Sequence, residues 1–328
     1  MIARPVLSVL LALACVAAST LPARAQSFPA RAITLIVPFA AGGGADAIAR
    51  IVAESMAKTL GQPVVIENVP GAGGTTATLR LAQAIPDGHT LMLGHMGTHG
   101  AAPAVYPNLR YDPAKDFTPV GLTAEQPVAI VARKDFPADT LAAFVDHVRR
   151  NQQAMNEAHA GVGSVSHITC TLLQTLIGTR TARVAYRGVG PVATDLVGGQ
   201  VDFACMTLSS VASQVQAGTI KAFAVASPAR ASVIAEVPTT IEAGLPDFQT
   251  SSWNAFFAPR NLPSPIQAKL NDAVVRALDD AATRQRLVEI GCEIPAASDR
   301  TPEALQELVE REVARWLRLL KPPAPSAN

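Results

Sequence analysis

An α/β fold in two lobes, each a mostly parallel sheet flanked by helices, is predicted by three observations. Strand-like and helix-like periodicities alternate along the chain. Glycine-rich loops join several of the strands to the helices that follow them. About 300 residues remain beyond an N-terminal export signal, enough for one large core or two medium ones.

The clearest unit runs from Ile33 to Arg50. Ile33, Leu35, Ile36 and Val37 form a nearly continuous apolar run, as in a strand buried on both faces of a parallel sheet. Gly42, Gly43 and Gly44 follow Pro38, and Ile48, Ile51, Val52, Ser55 and Met56 then recur at helical spacing from Asp46 onward. The first-turn N–H groups of such a helix lack internal partners and carry the positive end of its dipole. Glycine lets a ligand approach them, so the turn is a ready anion site.

The first residues set the compartment. Arg4 supplies a positive n-region, Val6 to Ala18 a short apolar stretch, and Ala23-Arg24-Ala25 an A-x-A cleavage site. Cleavage after Ala25 would remove 1–25 and leave an exported mature chain. Ala12-Leu13-Ala14 before Cys15 is a poor lipobox, so no lipid anchor is expected. No later stretch reaches ~20 uninterrupted apolar residues, so the mature chain is expected to be soluble. A formal charge of +1 with 16% charged residues gives no basic field for nucleic acid and no polybasic membrane patch. Cys170, Cys205 and Cys292 remain after cleavage and are read as buried free thiols, a Cys170–Cys205 bridge being the alternative.

After the first helix, Val64 to Glu67 reads as a second strand, followed by Gly71-Ala72-Gly73-Gly74-Thr75 and a helix from Ala77 to Ala84. Two strand–glycine–helix units in succession put both loops at the carboxyl edge of one sheet, where open α/β sheets bind ligands. Thr90 to Leu93 is a third strand, ending in Gly94-His95-Met96-Gly97-Thr98-His99-Gly100, whose glycines argue against a helix. Val120 to Leu122 and Val128 to Ala132 are read as two strands separated by Glu125-Gln126-Pro127, with a lobe boundary there.

Thr140 caps a helix to Arg150. Ser166 and His167 open another after Gly161 to Ser164, and Val184 to Pro191 is a strand with a glycine turn. Strands follow at Val201 to Met206 and Ile220 to Ala226. Trp253 to Phe257 returns the chain to the first lobe, and helices cover Pro263 to Leu278, Ala281 to Ile290 and Thr301 to Leu320. The first lobe is therefore 26–123 with 251–320, the second 124–250, and 321–328 a frayed tail.

Taken together, these motifs resemble the extracytoplasmic solute-binding receptors of tripartite tricarboxylate transporters, the Bug family. The resemblance rests on Arg31 to Phe39, Gly42-Gly43 with Asp46, Leu60 to Val64, Pro70 to Gly74 and Pro86 to Leu91. It continues through Tyr111-Asp112, Tyr186-Arg187-Gly188, Gly198 to Asp202, Val237-Pro238-Thr239 and Trp253 with Phe257-Ala258-Pro259. It implies a two-lobed periplasmic-binding-protein fold with two crossover segments, closing on a small carboxylated solute that membrane permease subunits then receive. It implies no catalysis and no cofactor or metal, and the receptor is expected to be a monomer.

Carried onto this chain, Phe39, Ala40, Ala41, Gly42 and Gly43 would form a carboxylate clamp with Gly71, Ala72, Gly73, Gly74, Thr75 and Thr98. Ser164, Ser166, His167, Tyr186, Arg187, Gly188 and Asp202 would face it from the second lobe. Two departures are Ala45, in place of a hydroxyl residue common before Asp46, and the cysteines at 170 and 205.

The rival readings are enzymes. Gly42, Gly44 and Ala47 satisfy G-x-G-x-x-A, and Glu67 ends the second strand as a dinucleotide site requires. Pro38 to Ala41 lengthens that turn, however, and the second glycine loop has no role in it. A hydrolase built on Ser164 and His167 lacks both the G-x-S-x-G order and an acid partner in sequence. Taken singly, His167 can donate to a ligand or merely cap its helix. Tyr186 can be core, Arg187 an ordinary ion pair, and Asp202 structural.

Overall fold

The computed structural model describes residues 28–320. The export signal with its cleavage after Ala25, and the tail 321–328, lie outside the described residues. β1 (Ile33–Val37) is flanked by two parallel partners, β2 (Val64–Asn68) and β3 (Thr90–His95). Their carboxyl ends share one sheet edge, so the glycine loops after β1 and β2 open on the same side. α1 (Gly44–Leu60) follows the first loop and α2 (Thr75–Ala82) the second. A wide π-turn over Met96–Ala101 and the short α3 (Ala102–Val105) follow β3. That turn departs from the glycine-based expectation. His95 and Thr98 cap it reciprocally, backbone to side chain in each direction, and its six residues are buried.

β4 (Phe117–Arg133) is one strand of 17 residues where two were expected. Its first half pairs antiparallel with β9 (Ser251–Pro259), which in turn pairs with β3. Its second half pairs with β7 (Phe203–Thr207) and β8 (Ile220–Val225). Pro127, which has no N–H, lies where pairing with β9 ends at Ser251 and pairing with β7 begins at Val128. The missing donor therefore interrupts no ladder.

β5 (Asn156–His159) pairs in parallel with β6 (Ala182–Ala185) and β7, giving the order β2-β1-β3-β9-β4-β7-β5-β6, with β8 on β4. Each half of this curled sheet thus runs mostly one way, with β9 reversed in the first half and β4 in the second. The helices of the second half are α4 (Leu141–Asn151), α5 (Val165–Ile177), α6 (Val189–Val197) and α7 (Leu208–Gln216). α8 (Ser264–Asp279), α9 (Ala281–Glu289) and α10 (Pro302–Leu320) follow β9.

Helices cover both faces. Ile33, Leu35 and Val37 pack against Ile48, Val52 and Met56 of α1 and Leu270, Val274 and Leu278 of α8. Ile36, Met92 and Phe257 face the opposite way, with Leu305, Val309 and Trp316 of α10. In the second half, Val192 and Leu196 of α6 and Leu208 and Val211 of α7 pack on Ala129, Val131 and Met206. Each large aliphatic side chain buried this way contributes about 1.5–3 kcal/mol, and the alternation of faces fixes strand register.

The cysteine expectation is corrected. Cys170 of α5 and Cys205 of β7 form a disulfide, with Cα atoms 5.3 Å apart, and only Cys292 is a free, buried thiol among the described residues. α5 lies directly on β7, a packing that spacing could not reveal. Closing a loop of this size contributes about 3–4 kcal/mol in the chain-entropy account.

Candidate ligand-binding cleft

Where the two halves of the sheet face each other, a cavity of about 80 Å³ opens between the loops at the strand carboxyl ends. That is several times the ~10–15 Å³ one water needs on this measure, and suits a solute of a few heavy atoms. Four helices point their N-termini at it. Their N-cap residues, Gly43 of α1, Ser164 of α5, Gly188 of α6 and Thr207 of α7, all line the cavity. Of the four, only Ser164 caps a backbone amide with its side chain, accepting from the His167 N–H at 3.3 Å, while the Thr207 hydroxyl bonds the Ser210 hydroxyl at 3.0 Å. The other three caps make no such bond, so first-turn amides of α1, α6 and α7 have no capping side chain. Each terminus is equivalent to roughly half a positive charge and stabilises an anion by about 0.3–2 kcal/mol.

The cavity wall carries no Asp, Glu, Lys or Arg among the described residues. Its polar groups are neutral: Gln126 on β4, Ser252 and Asn254 on β9, Ser164, Ser166, Thr207, Ser210 and His95. Burial pushes the His95 imidazole down to about 3, so it is uncharged at neutral pH. Phe39, Ala40, Ala41, Ala45, Ala160, Val165, Val189, Pro191 and Met206 supply the apolar side chains. The field in the cavity is therefore that of oriented dipoles rather than of a charged side chain.

The first glycine loop is held by Asp46 from behind. Asp46 accepts from the Gly42 N–H at 3.0 Å, from Asn68 at 3.0 Å and from Arg50 at 2.9 Å, while Asn68 also donates to the Phe39 carbonyl. Burial alone would raise the Asp46 carboxyl, but the bonds from Arg50, Gly42 and Asn68 outweigh it and leave it below the ordinary value. Gly42 is thus corrected as a ligand donor, because its amide is already engaged and it does not line the cavity.

A second chamber at the cleft mouth shares Phe39 and Ala160 with the first, and is lined also by Gly71, Ala72, Gly73, Tyr186 and Arg187. The two glycine loops thus serve different chambers, where one clamp was expected. Tyr186 donates to Asp195 at 2.5 Å, and burial with that carboxylate beside it pushes its phenol up to about 12. Arg187 is exposed at the mouth and makes no ion pair among the described residues.

Other expected contacts lie elsewhere. Gly74 and Thr75 line neither chamber; Thr75 donates to the Ala72 carbonyl. Thr98 is fully buried, its hydroxyl engaged with His95 and His99. His167 lines neither chamber. Its Nδ1 accepts from Gly163, and burial, with His159 and Arg183 nearby, pushes it down to about 4. Asp202 lies away from the cleft, accepting from Arg133 at 3.1 Å and from the Asn156 N–H at 2.7 Å, which ties β7 to β4 and β5.

Sequence reading missed His95, Gln126, Thr207, Ser210, Ser252 and Asn254. One local signal existed for Thr207 and Ser210, a hydroxyl-rich stretch at a strand-to-helix junction. The rest sit on crossing strands, where nothing local marks them.

The chain matches the family model described as the tripartite tricarboxylate transporter family receptor over residues 48–323. Among solved structures it is similar to MatC from Rhodopseudomonas palustris with bound malate, at 48% identity and a TM-score of 0.87, covering 90% of this chain and 100% of that one. It is also similar to the periplasmic binding protein BugD, at 37% identity and a TM-score of 0.85 over 89% of this chain and 97% of that one. An R. palustris protein with adipate gives 33% identity and a TM-score of 0.85, covering 89% of this chain and 97% of that one. With the curled mixed sheet and the cleft between its halves, these matches establish that the chain belongs to the tripartite tricarboxylate transporter receptor family.

Proposed function

We propose that this chain is a periplasmic receptor that captures a small dicarboxylate between two lobes, 26–123 with 251–320 and 124–250, and presents the closed complex to membrane permease subunits without altering it. The single observation that carries the reading is the convergence of four helix N-termini on a small cavity that, among the described residues, has no charged side chain in its wall. Oriented amides hold a carboxylate there without a competing cation. The malate and adipate in the related structures are ligands of the same chemistry. Under this reading the inner cavity takes one carboxylate through Phe39 to Ala41, Gly43, Ser164, Ser166 and Gly188. Arg187 at the mouth chamber receives a second one where the solute is long enough.

Contacts across the cleft support a closed state. The Tyr106 hydroxyl lies 2.7 Å from the Ala72 carbonyl and 2.5 Å from the Val162 carbonyl, so one proton is shared between the two sides. A ligand with contacts to both sides shifts the population toward this state, which a permease can recognise. Against a dinucleotide enzyme stands the size of the cavity. Against a hydrolase stands the bonding of Ser164, whose Oγ meets the His167 backbone and Ser166 rather than an imidazole nitrogen.

Thermal-shift titration of residues 26–328 against three- to six-carbon diacids tests the reading. A ligand present at 100 times its Kd stabilises the fold by about 2.7 kcal/mol, a clear rise in Tm. No rise with any carboxylate, or a rise with a nicotinamide dinucleotide instead, contradicts it.

A further inference from the structure

We propose that His95 is a specificity-determining contact, donating from Nε2 to an oxygen of the captured solute on the first-lobe side of the cleft, with the Asn254 carboxamide beside it. This deepens the receptor reading and rests on it. The tautomer follows from geometry. His95 Nδ1 accepts the Gly97 N–H at 2.9 Å, and an N–H can only donate, so a neutral ring carries its proton on Nε2. That Nε2–H is buried and has no partner among the described residues, although His95 is only 2% exposed and lines the cavity.

A buried, unpaired donor is destabilising unless something accepts from it. The solute is the group the cavity admits.

The surroundings are built around this atom. His95 stands directly opposite Asn254 in the β3–β9 ladder, so both side chains project from one face as cross-strand neighbours. The Asn254 Nδ2 is likewise buried and unpartnered among the described residues, and Asn254 lines the same cavity. The Phe39 ring, 5.1 Å away centroid to centroid, fixes the imidazole from the first glycine loop. A donor beside a carboxamide fits an oxygen acceptor, either a carboxylate oxygen or a hydroxyl.

Two substitutions separate the roles of the two ring nitrogens. His95→Asn keeps an acceptor near the Nδ1 position for Gly97 and removes the Nε2 donor. His95→Gln keeps a donor near the Nε2 position and removes the Nδ1 acceptor. Calorimetry of the mature chain with malate and with succinate is the readout, together with the melting temperature of each free protein. Loss of one hydrogen bond to a buried donor predicts an affinity about tenfold or more weaker for His95→Asn with its melting temperature near wild type. His95→Gln is expected to melt lower yet bind within about threefold of wild type. A loss for malate alone assigns the accepting oxygen to the hydroxyl, and an equal loss for both diacids assigns it to a carboxylate. Wild-type affinity for both diacids in His95→Asn overturns the assignment while leaving the receptor reading intact. Binding of neither diacid by the wild-type chain overturns the carboxylate reading and the assignment with it.

Discussion

The two glycine loops of the first sheet look alike in sequence and do different work. The loop after β1 opens a 17-residue helix, lines the inner cavity with Phe39 to Ala41 and Gly43, and is braced by Asp46. The loop after β2 lines the mouth and is pressed against the other half of the molecule. A Cβ on Gly73 would fall 2.1 Å from the Val162 carbonyl, whereas one on Gly42 would meet nothing within 4 Å. Glycine therefore serves conformation alone at Gly42, and conformation together with close approach of the two halves at Gly73; Gly43 and Gly44 of the first loop also admit the other half, a Cβ there falling 3.0 Å from Val189 and 2.2 Å from Ser209. Sequence alone offers both uses and does not say which applies.

The contrast can be broken most forcefully at Gly73. Gly73→Val adds a side chain against backbone at a φ of 61°, so the closed state is lost; diacid affinity is expected to fall more than about a hundredfold by calorimetry, with circular dichroism unchanged. Near-normal affinity would show that the second loop is not a closure contact.

Asp46→Ala strips the brace from the first loop, leaving the Gly42 N–H, Asn68 and Arg50 without their acceptor. A loss of about 1–3 kcal/mol in urea denaturation is expected. The same brace predicts a pH effect. Because the folded carboxyl titrates below its ordinary value of 3.8, its contribution is fully present above that value and lost as pH falls through the lowered one. Acid unfolding of wild type should thus be steeper than that of Asp46→Ala, and identical profiles would remove the brace from the account.

Tyr106→Phe takes away the proton shared by the carbonyls on either side of the cleft. Its loss should weaken diacid binding about three- to tenfold without altering the ligand preference order in a thermal-shift panel. The smallest effect belongs to Gly42→Ala. Its φ of 84° strains alanine and lowers stability by about 1 kcal/mol, but its open surroundings leave affinity unchanged within about twofold.

Much of this was legible in the chain. The apolar run from Ile33 to Val37, the glycines after it and the helical spacing from Ile48 to Met56 read directly as strand, loop and helix, and the strand–loop–helix order gave the α/β class. What periodicity could not supply was apposition. Cys170 and Cys205, or His95 and Asn254, meet only because strands and helices far apart in sequence lie side by side. Pro127 looked like a break, and only the change of partner along β4 shows why a strand continues through it. Gly42, Thr98 and Asp202 were sensible donors or acceptors by type, yet each is already engaged by a neighbour that local pattern does not reveal.

The central claim is that main-chain dipoles, without a side-chain cation in the inner cavity, hold the charge of a small acid. Its most direct test is a calorimetric comparison, on residues 26–328, of malate with its diamide, which keeps the shape and removes the charge. The account predicts saturable one-site binding of the diacid, unchanged ligand recovered afterwards, and no detectable binding of the diamide. Equal affinity for the two would contradict it.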